Sequence, residues 1–434
     1  VRRIRWLIFI LLHVVLFTTT SCTFLDNIPN ETGILAQELS QKNMRTKSNQ
    51  QKKILRLWTF HTGNEFDYFQ SLGQEYQKKN PNIEVKVEYI PSNEYFAGNK
   101  LLTAIASGEG PDLFFVSSST IQKYVQAKIL RPFTNEFTPA LRSDFTPESL
   151  KDVTFNQQIY GIPFEIELLA LYYNKQMFSE HGLHPPRTWQ ELIQSASVLK
   201  TETVSGLTIE MDGTIYQNFS WIPFFWQNRV NEFTSDSFKK PEVAATYSFF
   251  KQLSDLGLLN RHPSRSATDI GILANGETAM QVTGTWNINS IEENYKEIPM
   301  GVVPLPVPLG GEEVTIAGGW KLVVNQLGEE SKLASQFAMW AFADDPKRPL
   351  EWCTKAKFAY SPRKSVMKAG QSMFNKGFRK EFTEKILATA RPEPRLPENI
   401  NRILAESLQN VLIKNMDGPT ASMLASKKLK QIQK

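Results

Sequence analysis

Two short turns in this chain set a glycine beside a tryptophan where an apolar run meets a loop. Gly284-Thr285-Trp286 follows the run Ala279 to Val282, and Gly318-Gly319-Trp320 precedes Leu322-Val323-Val324. A glycine there lets backbone come close to a guest, and the indole offers it a large flat face. One such pair is commonly a core ring beside a turn glycine; two within Thr268 to Asn325 turn the reading toward ligand contact. Carboxylates supply the second kind of chemistry. In Phe164-Glu165-Ile166-Glu167 the two glutamates fall on the same side of an extended chain, and only one of them is expected to reach a guest, the alternative being two solvated carboxylates. Trp221, Phe224, Phe225 and Trp226 recur at helical spacing, so Trp221 and Trp226 are either core rings or platforms for a guest. His61 reads as a satisfied loop histidine, and His181 and His184 beside prolines make no metal site. Metalloprotease helix, nucleophile elbow, phosphate loop and paired-cysteine zinc patterns are all missing from the sequence, so no metal and no cofactor is expected. The enzymatic alternative is a secreted glycoside hydrolase pairing Glu165 or Glu167 with Glu65.

These residues must be positioned by a chain of 434 residues, 41% hydrophobic and 21% charged, which has room for two cores of ordinary size. The formal charge of +5 is small and its basic residues are dispersed, which excludes a nucleic-acid footprint. At the N-terminus, Arg2, Arg3 and Arg5 precede the apolar run Trp6 to Phe17 and then Thr18-Thr19-Thr20-Ser21-Cys22. That is the pattern of a secretory signal, too short for a membrane span. Small residues ending at Cys22 resemble a bacterial lipoprotein processing site, although Thr19 stands where leucine is usual. Residues 1–22 are therefore read as signal peptide with lipidation at Cys22, and residues 23–53, polar throughout, as a disordered tether. About 30 such residues reach roughly 30 Å. The other cysteine, Cys353, reads as a small buried hydrophobe.

Order is expected from Ile54. Strand Ile54 to Phe60, a helix carrying Phe66, Phe69, Leu72 and Tyr76, strand Ile83 to Ile90, a helix near Leu101 to Ala106 and strand Asp112 to Val116 alternate as a parallel sheet demands. Guests sit beyond the carboxyl ends of such strands, here His61 to Glu65 and Ser117 to Ser119. A long extended run from Tyr160 to Tyr173, a capping box at Thr188-Trp189-Gln190-Glu191 and a second extended run at Ala279 to Val282 bracket mostly helical sequence. Two lobes joined by more than one crossing follow from that order.

Several motifs, in this order, resemble the family 1 extracellular solute-binding proteins, the sugar-binding lipoproteins of ABC importers, and within them the trehalose/maltose type. They are Gly108-Glu109-Gly110-Pro111-Asp112-Leu113, Tyr160-Gly161-Ile162-Pro163, Leu171-Tyr172-Tyr173-Asn174-Lys175, Pro186-Arg187-Thr188-Trp189-Gln190-Glu191-Leu192, Gly276-Glu277-Thr278-Ala279-Met280, Gly318-Gly319-Trp320 and Ser361-Pro362-Arg363. The resemblance implies an α/β, two-lobed periplasmic-binding-protein fold (type II-like), each lobe a mainly parallel sheet flanked by helices, joined by a multi-strand hinge. Residues 54–164 and 285–327 would form the N-terminal lobe, 165–284 and 328–434 the C-terminal lobe. Position by position it implies sugar contacts at Glu65, Glu167, Trp286, Gly319, Trp320 and Arg363. Ser117 stands where relatives often have aspartate, and Trp221 is carried as a possible platform. Sugars need aromatic faces for their C–H patches and charged or amide groups for their hydroxyls. The implied partners are a sugar, the transmembrane subunits of an ABC permease and a membrane reached through Cys22. The protein would work as a monomer outside the cytoplasm. A lipoprotein that presents ligand to a sensor is the other non-enzymatic alternative.

Overall fold

A computed structural model describes residues 52–96, 100–213 and 215–432. The expected signal, Cys22 and the tether as far as residue 51 lie outside the described residues. Among the described residues, no helix is long and apolar enough to cross a membrane.

The chain opens with β1 (Lys53–Thr59), α1 (Asn64–Lys79) and β2 (Ile83–Tyr89). Leu55 and Leu57 are buried while Arg56 between them is exposed, and α1 turns Phe69, Leu72 and Tyr76 inward at helical spacing. Those two periods force a parallel pair with its helix on one face, and Leu55 indeed lies opposite Val85 in a parallel ladder. The fully buried β3 (Leu113–Val116) joins the other edge of β1, also in parallel. Later strands are β4 (Ile162–Pro163), β5 (Glu167–Asn174), β6 (Ser205–Thr208), β7 (Thr278–Gly284), β8 (Met300–Val303), β9 (Thr315–Gly318), β10 (Lys321–Val324) and β11 (Ala390–Pro392). The five-stranded sheet runs β2-β1-β3-β10-β4 and the six-stranded one β11-β9-β5-β7-β6, with β8 also paired to β5; a separate two-stranded ladder joins Thr154–Phe155 to Gln158–Ile159.

The two-sheet α/β architecture is the expected one, but two details differ. β5 is antiparallel to β7, β8 and β9, and β10 is antiparallel to β3 and β4, so each sheet is mixed, with one strand running against the rest. β8 and β9 also place Met300 to Gly318 in the second sheet, not in the first lobe, and only β10 returns to the first. Conversely, the helical segment from Ala334 to Phe358 packs on the first core: Phe342 and Trp352 meet Phe69 of α1, and Phe342 meets Phe164. A helix's pattern shows that it has an apolar face, not which core receives it.

β5 divides the cores. Leu168, Ala170 and Tyr172 belong to the cluster that includes β1, β3 and Trp352, whereas Leu169 and Leu171 belong to the one containing Trp221, Phe250 and Leu408. The chain passes between the sheets at Phe164–Ile166, at Gly319–Trp320 and again between Ile386 and Ala390. The capping box at Thr188 is present, with both its hydrogen bonds, and opens the helix Trp189–Leu199.

Candidate functional site: an acidic cleft at the crossings

A cleft of about 450 Å³ opens where the strand ends of both sheets meet the crossings. It is lined by His61 after β1, Glu65 in the first turn of α1, Ser117 after β3, Glu167 at the start of β5, Glu210 after β6, Trp286 after β7 and Glu393 after β11. Apart from Glu167, which leads into an antiparallel strand, all follow the carboxyl end of a strand, the edge where an open α/β sheet receives ligands. Gly319 and Trp320 of the second crossing, Phe60, Phe96, Phe219 and Lys357 are also among the residues that line the cleft.

The glycines of the two turns act by admitting other protein groups. A Cβ on Gly284 would lie 2.0 Å from the Trp286 ring, so the indole folds over its own turn and then donates from Nε1 to the Thr268 carbonyl at 3.3 Å. A Cβ on Gly318 would strike Phe219 at 2.4 Å. Gly319, at φ +117°, would collide with the Glu165 carbonyl at 2.5 Å, so both conformation and space require glycine at this crossing. Trp286 is partly exposed to the cleft. Trp320 is only 8% exposed, stacked on Phe96 with centroids 5.0 Å apart and tilted against Phe60, so it offers a guest an edge more than a face.

Behind the aromatic wall, Lys357 stands among three carboxylates. Its Nζ lies 2.5 Å from Glu167, 3.2 Å from Glu165 and 3.6 Å from Glu65. Glu165 also accepts from the Trp320 backbone N–H at 3.1 Å and from Trp352 Nε1 at 2.8 Å. It therefore ties the first crossing to the second, and it does not line the cleft. Of the two glutamates read as equivalent in sequence, Glu167 faces the cleft and Glu165 is an internal fastener, buried rather than solvated. Burial pushes Glu65 up to about 7 against the pull of Lys357, with Glu167 adding to the rise. Burial likewise raises Glu165 to about 8, again opposed by Lys357 and assisted by Glu167 and Glu65. Desolvation and then Lys357 hold His61 well below the ordinary imidazole value. Its Nδ1 meets the Thr59 hydroxyl at 2.7 Å, while Nε2 has no hydrogen-bond partner among the described residues and lies 3.6 Å from Glu65. The expectation of a satisfied loop histidine is thus half right: His61 is buried, and among the described residues only its Nδ1 is hydrogen-bonded.

Six of the eight expected contacts, Glu65, Ser117, Glu167, Trp286, Gly319 and Trp320, lie around this one cleft. Ser117 is nearly used up by its own turn, its hydroxyl 2.8 Å from that of Ser119. The other two are elsewhere. Arg363 is buried, donating to Asp144 at 2.8 Å and to the Phe342 carbonyl at 3.1 Å, so it ties loops together. Trp221 is wholly buried, edge-on to Phe250 at 4.4 Å, and its Nε1 donates to the Glu210 carbonyl at 2.7 Å. Trp221 therefore positions a cleft residue without being one, and Trp226 is buried in the same core.

Sequence reasoning missed Lys357, Glu210 and Glu393. Glu210 was open to the strand-end rule, since it closes the run Leu207-Thr208-Ile209-Glu210. Lys357 had no local signal, because its partners are far away in sequence. Cys353 is buried, as read, and burial raises its thiol well above the usual range.

The chain is similar to known proteins over most of its length. The Maltotriose-binding protein of Pyrococcus abyssi is 28% identical over 301 residues, 67% of this chain and 62% of that one; the chain thus spans less than two thirds of that relative. Among solved structures, maltose-bound MalE3 of T. maritima superposes with a TM-score of 0.76 at 21% identity, over 87% of this chain and 99% of that one. A solute-binding protein of an ABC transporter from Thermotoga lettingae, bound with α-D-tagatose, gives 0.78 at 21% identity, over 88% of this chain and all (100%) of that one. These likenesses establish the two-lobed fold. Residues 62–348 match the family described as bacterial extracellular solute-binding protein, and the chain belongs to that family.

Proposed function

We propose that the protein captures a sugar, a disaccharide or small oligosaccharide, in the cleft at the crossings and delivers it to the transmembrane subunits of an ABC permease. The family is one of extracellular solute-binding proteins rather than enzymes, which puts the working body outside the cytoplasm. The observation that carries the reading is the composition of this one cleft. An indole and three phenylalanine rings stand against hydroxyl-seeking carboxylates, at strand ends from both sheets. Its volume of about 450 Å³ falls in the range of small-molecule sites. The maltotriose and maltose named for similar proteins agree with it, and the tagatose of another, a monosaccharide, agrees with a sugar guest.

In this reading the guest bridges residues of the first sheet's edge, such as Glu65, and of the second's, such as Trp286. It favours whichever arrangement of the lobes lets both contacts form. Lipidation at Cys22, attachment to a membrane and action as a monomer complete the proposal, on the strength of the N-terminal motif and the family. A thermal-shift screen against mono- and disaccharides tests it, because a guest at a hundredfold excess over its Kd adds about 2.7 kcal/mol to stability. The same sugar should change tryptophan fluorescence. Trp286→Ala should weaken binding by about tenfold or more while leaving the unfolding midpoint of the free protein in place, since the ring is only partly buried. A panel in which no sugar raises the midpoint would refute the reading.

A further inference from the structure

Between β11 and the helix Glu398–Leu412 the chain reads Arg391-Pro392-Glu393-Pro394-Arg395-Leu396-Pro397. Three prolines in seven residues fix three φ angles, so this strap is stiff without belonging to a helix. Both its ends are fastened to the second lobe. Upstream, Pro392 lies opposite Ala317 of β9, the Glu393 N–H donates to the Ala317 carbonyl at 2.8 Å, and Arg391 reaches Asn231 at 2.7 Å and Glu312 at 2.6 Å. Downstream, the helix buries Ile403, Leu404 and Leu408 in the core that holds Trp221, and Asn218 donates to the Asn401 carbonyl at 2.8 Å.

The middle of the strap lies against the first lobe. Glu393, buried, faces Lys321 of β10 and the hydroxyls of Ser119 and Ser118 just beyond β3. Two residues on, Arg395 donates from Nη1 to the Thr154 carbonyl at 3.2 Å and sets its guanidinium 4.9 Å from the centre of the Phe155 ring. Thr154 and Phe155 pair with Gln158–Ile159, and Ile159 is buried in the first core, its carbonyl accepting from the Phe133 N–H at 2.7 Å. Glu393 lines the cleft and Arg395 does not. These contacts differ in kind from the three crossings. A crossing joins the lobes covalently however they are set, whereas the strap leaves the second lobe and returns to it, so its hold on the first is lost as soon as the lobes part.

Taking the cleft to be a sugar site, we propose that the strap is a catch between the lobes and that Arg395 is its positioning residue, a group outside the cleft whose grip on Thr154 and Phe155 sets how long the guest is retained. A guanidinium over an aromatic face, with a carbonyl acceptor beside it, combines cation–π attraction with a charge-assisted hydrogen bond. Free energy gained only when the lobes are together favours that arrangement. A guest held by both lobes then binds more tightly, although Arg395 gives it no contact of its own. Such a contribution slows release more than it speeds capture.

Arg395→Met keeps the stem and removes the guanidinium at a partly buried position. In stopped-flow tryptophan fluorescence of the full-length protein, with maltotriose as the probe, release should be about fivefold faster or more in this variant, and association changed by less than about twofold. Arg395→Lys, which keeps a cation but not the flat fork, should fall between the two. Phe155→Leu should speed release as well, yet add little to Arg395→Met, because both remove the same contact. A contact that merely stabilised the fold would lower the urea midpoint of the free protein and leave release alone; Arg395→Met is expected to do the reverse. Small-angle scattering of the guest-free proteins gives a second readout, with the variant the more extended. Unchanged release of maltotriose from Arg395→Met overturns the catch and leaves the sugar reading standing. Should maltotriose fail to bind, scattering alone decides, and a variant no larger than wild type overturns the catch; only a sugar panel silent throughout also removes the sugar reading.

Discussion

Replacing Lys357 by methionine keeps the stem and deletes the charge, which isolates the electrostatics of the crossing. The wild-type ammonium is 3% exposed and lies 2.5 Å, 3.2 Å and 3.6 Å from three carboxylates. Removing one partner from a buried ion cluster costs about 3–5 kcal/mol when the charges left behind cannot reach water. Here that holds for Glu165, whose side chain is 0% exposed, and nearly so for Glu167 at 8%, but less for Glu65 at 23%. The loss should depend on pH, and its sign follows from the shifts. Glu65 at about 7 and Glu165 at about 8 both stand above the ordinary 4.5, so between 4.5 and 8 the folded protein holds protons that the unfolded chain has lost. Their ionisation therefore makes stability fall as pH rises through that window, by at most about 1.4 kcal/mol per pH unit for each proton. Lys357 opposes both shifts; without it both groups move higher still and the fall steepens. Wild type and Lys357→Met should therefore be close in stability near about pH 5 and far apart near about pH 8.5. Urea unfolding followed by tryptophan fluorescence at the two pH values measures this. A gap below about 1 kcal/mol at the higher pH, or one of equal size at both, would refute the assignment of Lys357 as the charge that keeps this crossing ionised.

Two further substitutions probe the elements behind the cleft. Gly319→Ala puts a Cβ 2.5 Å from the Glu165 carbonyl at a φ of +117°. It should destabilise by about 1–3 kcal/mol or more and weaken sugar binding with it; a midpoint in urea equal to wild type would show that the crossing relaxes freely. Trp221→Ala empties a fully buried site. It should cost about 3–5 kcal/mol, whereas Trp221→Phe should keep most of the stability and lower affinity only through the lost tie to Glu210. If Trp221→Phe abolished binding as thoroughly as Trp286→Ala, the placement of Trp221 in the core would be wrong.

How much of this was legible in sequence depends on the range of the interaction that decides each feature. β1, α1, β2 and β3 were readable because their periods are local and their parallel ladders follow from two helical crossovers. Glu65 and Ser117 sit beyond parallel strands, where the parallel-sheet rule names the edge before any packing is known, whereas Glu167, Trp286, Gly319 and Trp320 came from the glutamate pair, the two glycine-tryptophan turns and the family resemblance. What failed depended on which of two cores a segment joins. Trp221 and Trp286 are equally aromatic in sequence, yet one is enclosed by Phe250 and the other opens on the cleft because its ring lies over Gly284. Arg363 was carried to the site by a matched motif, but Asp144 and the Phe342 carbonyl, both distant in sequence, hold it elsewhere. Glu165 and Glu167 show the limit most sharply. The period of a strand puts them on one side, and so they are, both within reach of Lys357. The chain turns from one sheet to the other between them, however, leaving Glu165 to accept the Trp320 N–H while Glu167 begins β5 at the cleft wall. Two residues apart, one carboxylate fastens the crossing and the other faces the guest. The lysine they share then couples the two tasks, so a guest that draws on Glu167 also changes the field at Glu165.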